Sequence, residues 1–274
     1  MDPETLLHHL DQATLWPADA SGRVHAGYTD LPSAYQAALQ VRQRRMDRGE
    51  RPIGFKIGFT NRSIWERYRV WAPIWGTVWE GGVADADAQG RCQVSLTAMC
   101  QPRLEPEIVF GLRATPPAGA SLEQVWDCVE WLAPGFEVVQ SHCPGWRFEA
   151  ADTVADSGLH GALRIGARRP VRELADSGAA LDAWLGGCEV KLRRNGELIE
   201  TGRGDAVLDG PLHALRHFVL ELQSCPGAPV LQAGDLVTTG TWTDAWPLEA
   251  GQGWDAEFGR GIGSIALEAW DSTC

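Results

Sequence analysis

The chain has 274 residues, 44% of them hydrophobic and 22% charged, enough to bury one large core or a core with a smaller partner. Its 24 Lys plus Arg against 36 Asp plus Glu give a formal net charge of -12, which argues against a nucleic-acid groove because phosphate binding needs a concentrated basic face. No apolar run approaches the ~18 residues of a membrane span.

The first residues carry Asp2, Glu4, His8, His9 and Asp11, with neither the basic nor the apolar region of a signal peptide, so a cytoplasmic protein is expected. Cys92, Cys100, Cys128, Cys143, Cys188, Cys225 and Cys274 form no C-x-x-C pair. Buried free thiols in a reducing compartment account for them better than a disulfide frame or a zinc ribbon. The 13 Trp exceed the 3 Tyr and 7 Phe, which predicts large flat surfaces in a core, a pocket or an interface.

The first 50 residues read as helical. Asp30 caps a helix with Ala34, Tyr35, Ala38 and Val41 on one face, ending near Gly49. From Ile53 the pattern turns to short apolar runs broken by Gly, Pro and Asn. Ser121 and Gln124 make a capping box before Leu122, Val125, Trp126 and Val129. Glu189 to Ile199 reads as a hairpin turning at Asn195-Gly196. Pro211 opens a helix that ends before Pro226-Gly227, Leu236 to Thr239 is a strand, and Trp254 to Ala269 alternates around Gly259 to Gly263. The fold class expected is α+β: a small helical N-terminal part, residues 1–80, and a larger mixed β-domain, residues 81–274.

Three stretches carry chemistry. In Leu104-Glu105-Pro106-Glu107-Ile108-Val109-Phe110, strand periodicity puts Glu105 and Glu107 on one face, with Leu104, Ile108 and Phe110 on the other. Two half-buried carboxylates side by side repel, and a hard divalent cation would relieve that. The alternative is an exposed edge strand, which Pro106 would suit. Glu137, alone in the apolar run Phe136 to Val139, is a third carboxylate; an all-oxygen set favours Mg²⁺ or Mn²⁺ over Zn²⁺. Lys56, in Gly54-Phe55-Lys56-Ile57-Gly58, is either an ordinary surface lysine or a buried proton-transfer group. Ala151 to Gly158, with Asp152, Asp156 and Ser157, reads as a loop lining a site or as a plain turn.

Taken in order, these stretches resemble the hydratase/decarboxylase branch of the fumarylacetoacetate hydrolase superfamily, which includes 2-hydroxypenta-2,4-dienoate hydratases and 4-oxalocrotonate decarboxylases. The matching pieces are Gly54 to Thr60, Glu105-Pro106-Glu107, Phe136 to Val139, Asp152 to Asp156, Arg194 to Glu197, Gly202 to Gly204, Pro211-Leu212, Ala233 to Asp235, Thr239-Gly240-Thr241 and Gly261 to Ser264, across residues 30–267. The resemblance implies a mixed β-roll catalytic domain. It also implies Mg²⁺ or Mn²⁺ on Glu105, Glu107 and Glu137, and Lys56 as acid/base. It further implies a 2-oxo acid or 2-hydroxydienoate substrate whose C1 carboxylate and C2 oxygen reach the cation, which stabilises the enolate formed there. Catabolism of aromatic compounds is the implied setting, and a homo-oligomer is expected.

One departure from the family falls at the distal side. An acid 18 residues after the lysine is common in this branch; here Ile74 holds that place, in Pro73-Ile74-Trp75-Gly76. Glu80, Asp152 or Asp156 are the candidate replacements. Trp65, Trp71, Trp75 and Trp79 crowd this stretch, and Trp242 and Trp246 follow Thr241, so an apolar, aryl-accepting distal pocket is expected, with Trp75, Trp79, Ser157, Thr241 and Trp242 as substrate contacts. The function expected is a metal-dependent hydratase. A decarboxylase or an acylpyruvate C–C hydrolase on the same site is the alternative, although the His–Glu lid pair of the hydrolases has only His8, His9 and His25 as upstream candidates. A non-catalytic partner subunit would be expected to lose the carboxylates, which are all present.

Overall fold

The computed structural model describes residues 1–272; Cys274 lies outside them. Two helices open the chain, α1 (Pro3–Gln12) and α2 (Leu31–Asp47). Asp30 caps α2 as expected, accepting from the Ser33 N–H at 2.8 Å. The stretch between the helices is not helical, contrary to the expectation. It is tied down instead by long-range bonds from the Trp16 N–H to the His142 carbonyl and from the Ala26 N–H to Asp152 Oδ1.

Strand β1 (Pro52–Gly58) is followed by the short helix α3 (Trp65–Tyr68), then β2 (Ile74–Trp79), β3 (Val83–Asp85), β4 (Arg91–Ser95) and the long β5 (Arg103–Leu112). The Ser121–Gln124 capping box starts α4 (Leu122–Cys128), but Val129 leaves the helix to begin β6 (Val129–Val139). There follow α5 (Ala150–Ala155), β7 (His160–Ile165), β8 (Arg169–Pro170), α6 (Gly178–Gly186), β9 (Glu189–Arg194), β10 (Glu197–Arg203) and α7 (Pro211–Ser224). The chain closes with β11 (Leu236–Thr238), β12 (Trp246–Pro247), β13 (Gly253–Phe258) and β14 (Gly263–Trp270). The β9–β10 hairpin turns at Asn195 and Gly196, whose φ angles of 51° and 83° are those a two-residue primed turn requires.

The strands form two sheets. One runs β2-β1-β11-β5-β6-β7-β3, with β12 also on β5 and β8 on β6; the other runs β10-β9-β13-β14-β4. Both mix parallel and antiparallel pairs, the mixed β-rich architecture expected. Their facing sides, with α4, α6 and α7, enclose one core that includes Leu104, Ile108, Phe110, Phe136, Phe218 and Trp254. The expected division at residue 80 cuts across the first sheet, since β1 and β2 pair with each other and β1 pairs with β11.

The segment 151–158 is a helix where a loop was expected. Glu149 and Asp152 form a reciprocal capping box that starts α5, and a 3-10 turn follows. The six described cysteines are free thiols; Cys100, Cys128, Cys143 and Cys188 are buried, and Cys92 and Cys225 are half-buried. Among the described residues, no helix is long and apolar enough to cross a membrane.

Candidate active site

Antiparallel pairing of β5 with β6 sets Glu105 directly opposite Glu137, and Glu107 opposite Gly135. Glu105 and Glu107 share a face by strand periodicity, so all three carboxylates converge; their nearest oxygens lie within 4.8 Å of one another. The opposite face of β5 carries Leu104, Ile108 and Phe110 into the core. The exposed-edge alternative is overturned, because β5 has β6 on one side and β11 and β12 on the other. Pro106 is tolerated because β11 ends opposite Val109 and β12 opposite Leu104. The backbone N and O of a strand residue point to the same side. The Pro106 carbonyl accepts from the Trp242 N–H in that gap, so the missing N–H faces the gap too.

Lys56 is buried, not on the surface, and its Nζ lies 3.4 Å from Glu137 Oε1. The same oxygen accepts from His160 Nδ1 at 2.8 Å, and Thr238 Oγ1 donates to Glu137 Oε2 at 3.3 Å. Glu107 Oε2 accepts from the Gly240 N–H at 2.7 Å. Gly240 stands at φ 94°, and a Cβ there would lie 2.0 Å from Thr60 Oγ1. Only glycine brings that N–H to the carboxylate.

The charges divide unevenly. Burial opposes the anion at Glu137, but Lys56 and then His160 outweigh it and hold its carboxyl below the ordinary range. Burial likewise opposes the Lys56 ammonium, and the Glu137, Glu105 and Glu107 charges together hold it above the usual lysine value. Glu105 is pushed up to about 7, by burial first, with Glu137 adding to it. Glu107 rises well above the carboxylate range through burial and then repulsion from Glu137 and Glu105. Glu107 Oε1 is buried with no hydrogen-bond partner. An unsatisfied, solvent-shielded carboxylate oxygen beside two more carboxylates fits a hard divalent cation.

Lys56 and Glu105 stand at the inner end of a cavity of about 420 Å³. Thr241 and Trp242 line it, together with Ile74. Trp75, Trp79 and Ser157 do not. They flank a narrow crevice beside α2, where Trp75 stacks on Tyr35 at 4.6 Å and Arg45 lies over Trp79. The backbones of β2 and the 3-10 turn after α5 press together there: a Cβ on Gly76 would lie 2.1 Å from the Ser157 carbonyl. Asp152 and Asp156 are buried but also absent from the lining. Asp152 holds the Ala26 and Glu149 N–H groups, and Asp156 holds His142 through its N–H and its Nδ1, the latter at 2.6 Å. Glu80 is exposed beside Arg51. None of these acids lines the cavity beside Ile74.

His160 and the aromatic wall of the cavity leave no local mark in the sequence. His160 opens β7 and reaches Glu137 only through the β6–β7 pairing, so no local pattern announces it. The wall is made by Phe59, Tyr68, Trp146 and Phe148, from two distant segments. Of the six tryptophans near the expected site, only Trp242 lines the cavity.

With this geometry in view, the chain matches a known family: residues 83–268 match the model described as fumarylacetoacetate (FAA) hydrolase C-terminal. The protein belongs to that family. The matched part holds the three carboxylates, while Lys56 comes from the preceding segment. Among curated relatives, the chain is 30% identical over 263 residues to 2-hydroxyhexa-2,4-dienoate hydratase of Comamonas testosteroni, covering 93% of this chain and 94% of that protein. It is 26% identical over 273 residues to 4-oxalocrotonate decarboxylase of Pseudomonas putida, covering 95% and 94%. Its fold is similar to the structure of 4-oxalocrotonate decarboxylase from Pseudomonas putida G7 complexed with magnesium and adipate, with a TM-score of 0.82, 22% identity and 97% of each chain covered.

Proposed function

We propose that the protein is a divalent-metal-dependent hydratase acting on a 2-hydroxydienoate or 2-oxo-alkenoate. The observation that carries this reading is the convergence of Glu105, Glu107 and Glu137 around an orphaned buried oxygen, with Lys56 paired to one of them at the inner end of a cavity. The hydratase relative supports the reaction type, and the magnesium in the decarboxylase structure supports the cation.

Glu105, Glu107 and Glu137 would hold Mg²⁺ or Mn²⁺. When bound, the cation supplies Lewis-acid stabilisation of negative charge developing at the substrate's C2 oxygen. Lys56 lines the cavity, where the carbon chain of a metal-bound substrate would lie. Held charged by its neighbours, it is a proton donor to the chain carbon; once deprotonated it is the base for the return step. His160 and Thr238 hold Glu137 in orientation. Water supplies the hydroxyl and the proton that add across the far double bond. Ile74 carries no proton at the distal wall, so that water must be oriented by other groups.

The test is a screen of 2-hydroxydienoates, 2-oxo-enedioates and acylpyruvates with added Mg²⁺ or Mn²⁺ and product identification. Formation of a hydroxylated 2-oxo acid supports the proposal. Release of CO₂ would move the reaction to decarboxylation, and cleavage of a C–C bond by water would move it to hydrolysis.

A further inference from the structure

Building on the proposed 2-oxo acid site, we infer that the substrate carries a flat, uncharged aryl group on the arm that points away from the metal end. The distal cavity is a continuous aromatic strip. Phe59 stacks on Tyr68 at 4.9 Å, Tyr68 on Phe148 at 5.7 Å, and Phe148 meets Trp146 at 6.0 Å. The strip begins at Phe59, three residues beyond Lys56 on the same chain segment, and all four rings are only partly buried, which leaves ring surface free for a ligand. Ile74 and Leu159 add to the apolar wall.

The backbone holds these side chains at some cost. Phe59, Trp146 and Leu159 have φ of 55°, 60° and 66°, left-handed values uncommon for residues with a Cβ. Three such residues around one cavity indicate that the lining is held in place by its surroundings. Charge does not favour an anionic arm. Arg67 and Arg103 line the mouth, but Glu200 and Asp244 line it too, which balances the two cations. The guanidinium groups are already engaged with rings, Arg103 at 4.3 Å from the Trp146 centroid and Arg67 at 5.3 Å from that of Tyr68. Aromatic pairs at such spacings favour offset or edge contact, and a phenyl group lying against the strip would extend it by one ring.

Calorimetric titration of the full-length Mg²⁺-loaded protein tests this with saturated 2-oxo acids, which have no far double bond to hydrate. The probes are 2-oxo-5-phenylpentanoate, 2-oxopentanoate and 2-oxoadipate, with oxalate reporting the metal end alone. The phenyl compound is expected to bind roughly ten- to a hundredfold more tightly than 2-oxopentanoate, and more tightly than 2-oxoadipate. Phe148→Ala is expected to remove most of that advantage. The comparison of ligands on the unaltered protein needs no variant to fold. Binding of oxalate with equal or weaker affinity for the phenyl compound, or a preference for 2-oxoadipate, overturns the aryl assignment and leaves the metal site standing. Failure of oxalate to bind in the presence of Mg²⁺ overturns the underlying site, and the aryl assignment with it.

Discussion

Glu105 and Glu137 sit directly opposite one another on neighbouring strands, a position where like charges ordinarily weaken a sheet. The arrangement is sustained on one side only: Glu137 has Lys56 and His160, whereas Glu105 and Glu107 are driven toward their protonated forms. A cation that replaces those protons relieves the repulsion for all three.

Glu107→Gln should therefore separate binding from folding. Metal-dependent turnover is expected to fall to background, and Mg²⁺ affinity by at least about a hundredfold, because one of three charged ligands is lost. The metal-free variant should unfold no lower than the parent, since an amide there carries none of the charge that burial and the neighbouring glutamates oppose. Thermal unfolding with EDTA and with Mg²⁺ measures both. Full activity in the variant would sink the proposed site.

Lys56→Met should retain Mg²⁺ but lose about 10² to 10⁴ in kcat, the range usual for a positioned acid/base. Calorimetry for the metal and steady-state kinetics give the two readouts. An active Lys56→Met protein would remove the lysine from the mechanism.

The pH dependence follows from Glu105. Burial, and then Glu137, raise its folded pKa to about 7, above an unfolded value of about 4.3. Folding of the metal-free protein therefore takes up a proton. The stabilisation is complete below the unfolded value and is lost as pH rises through about 7. Without metal, Tm should decline between pH ~4 and ~7 and change little above that. Mg²⁺ competes with the same proton, so its affinity should rise over that interval, by up to about tenfold per pH unit for each proton displaced, and then level off. Unfolding and titration across this range decide it; a flat metal affinity would contradict the assignment of Glu105 as a ligand.

His160→Ala should weaken Mg²⁺ about 10- to 100-fold without removing a direct ligand, because Glu137 loses the donor that orients it. Raising Mg²⁺ should restore much of the activity, which is not expected for Glu107→Gln. The two metal-titration curves, compared at saturating substrate, provide the check.

Gly240→Ala tests the loop that supports Glu107. A methyl group there meets Thr60 Oγ1 at 2.0 Å and strains a φ of 94°, so the loop must shift and the 2.7 Å bond to Glu107 lengthen. Weaker Mg²⁺ binding together with lower stability is expected. Pairing it with Thr60→Ser, which removes a methyl close to the new Cβ, should recover part of the loss in both.

Local chemistry made a good part of the protein legible in its sequence. The period of two put Glu105 and Glu107 on one face, Asp30 and the Ser121–Gln124 box marked two helix starts, and Asn195-Gly196 turned the hairpin where expected. Each of those depends on residues a few positions apart. Tertiary structure decided what lies across space. The β5–β6 register brought Glu137 opposite Glu105, the β6–β7 pairing delivered His160, and β1, drawn into the large sheet beside β11, brought Lys56 to Glu137. It also redistributed the tryptophans that composition had singled out. Trp75 and Trp79 went to a crevice beside α2, and the cavity wall was assembled from Phe59, Tyr68, Trp146 and Phe148. Composition and periodicity state how large and how apolar a side chain is, and which face of its own element it takes. Which distant segments share a cavity depends on strand register and on how the two sheets close over one core, and no local pattern contains that information.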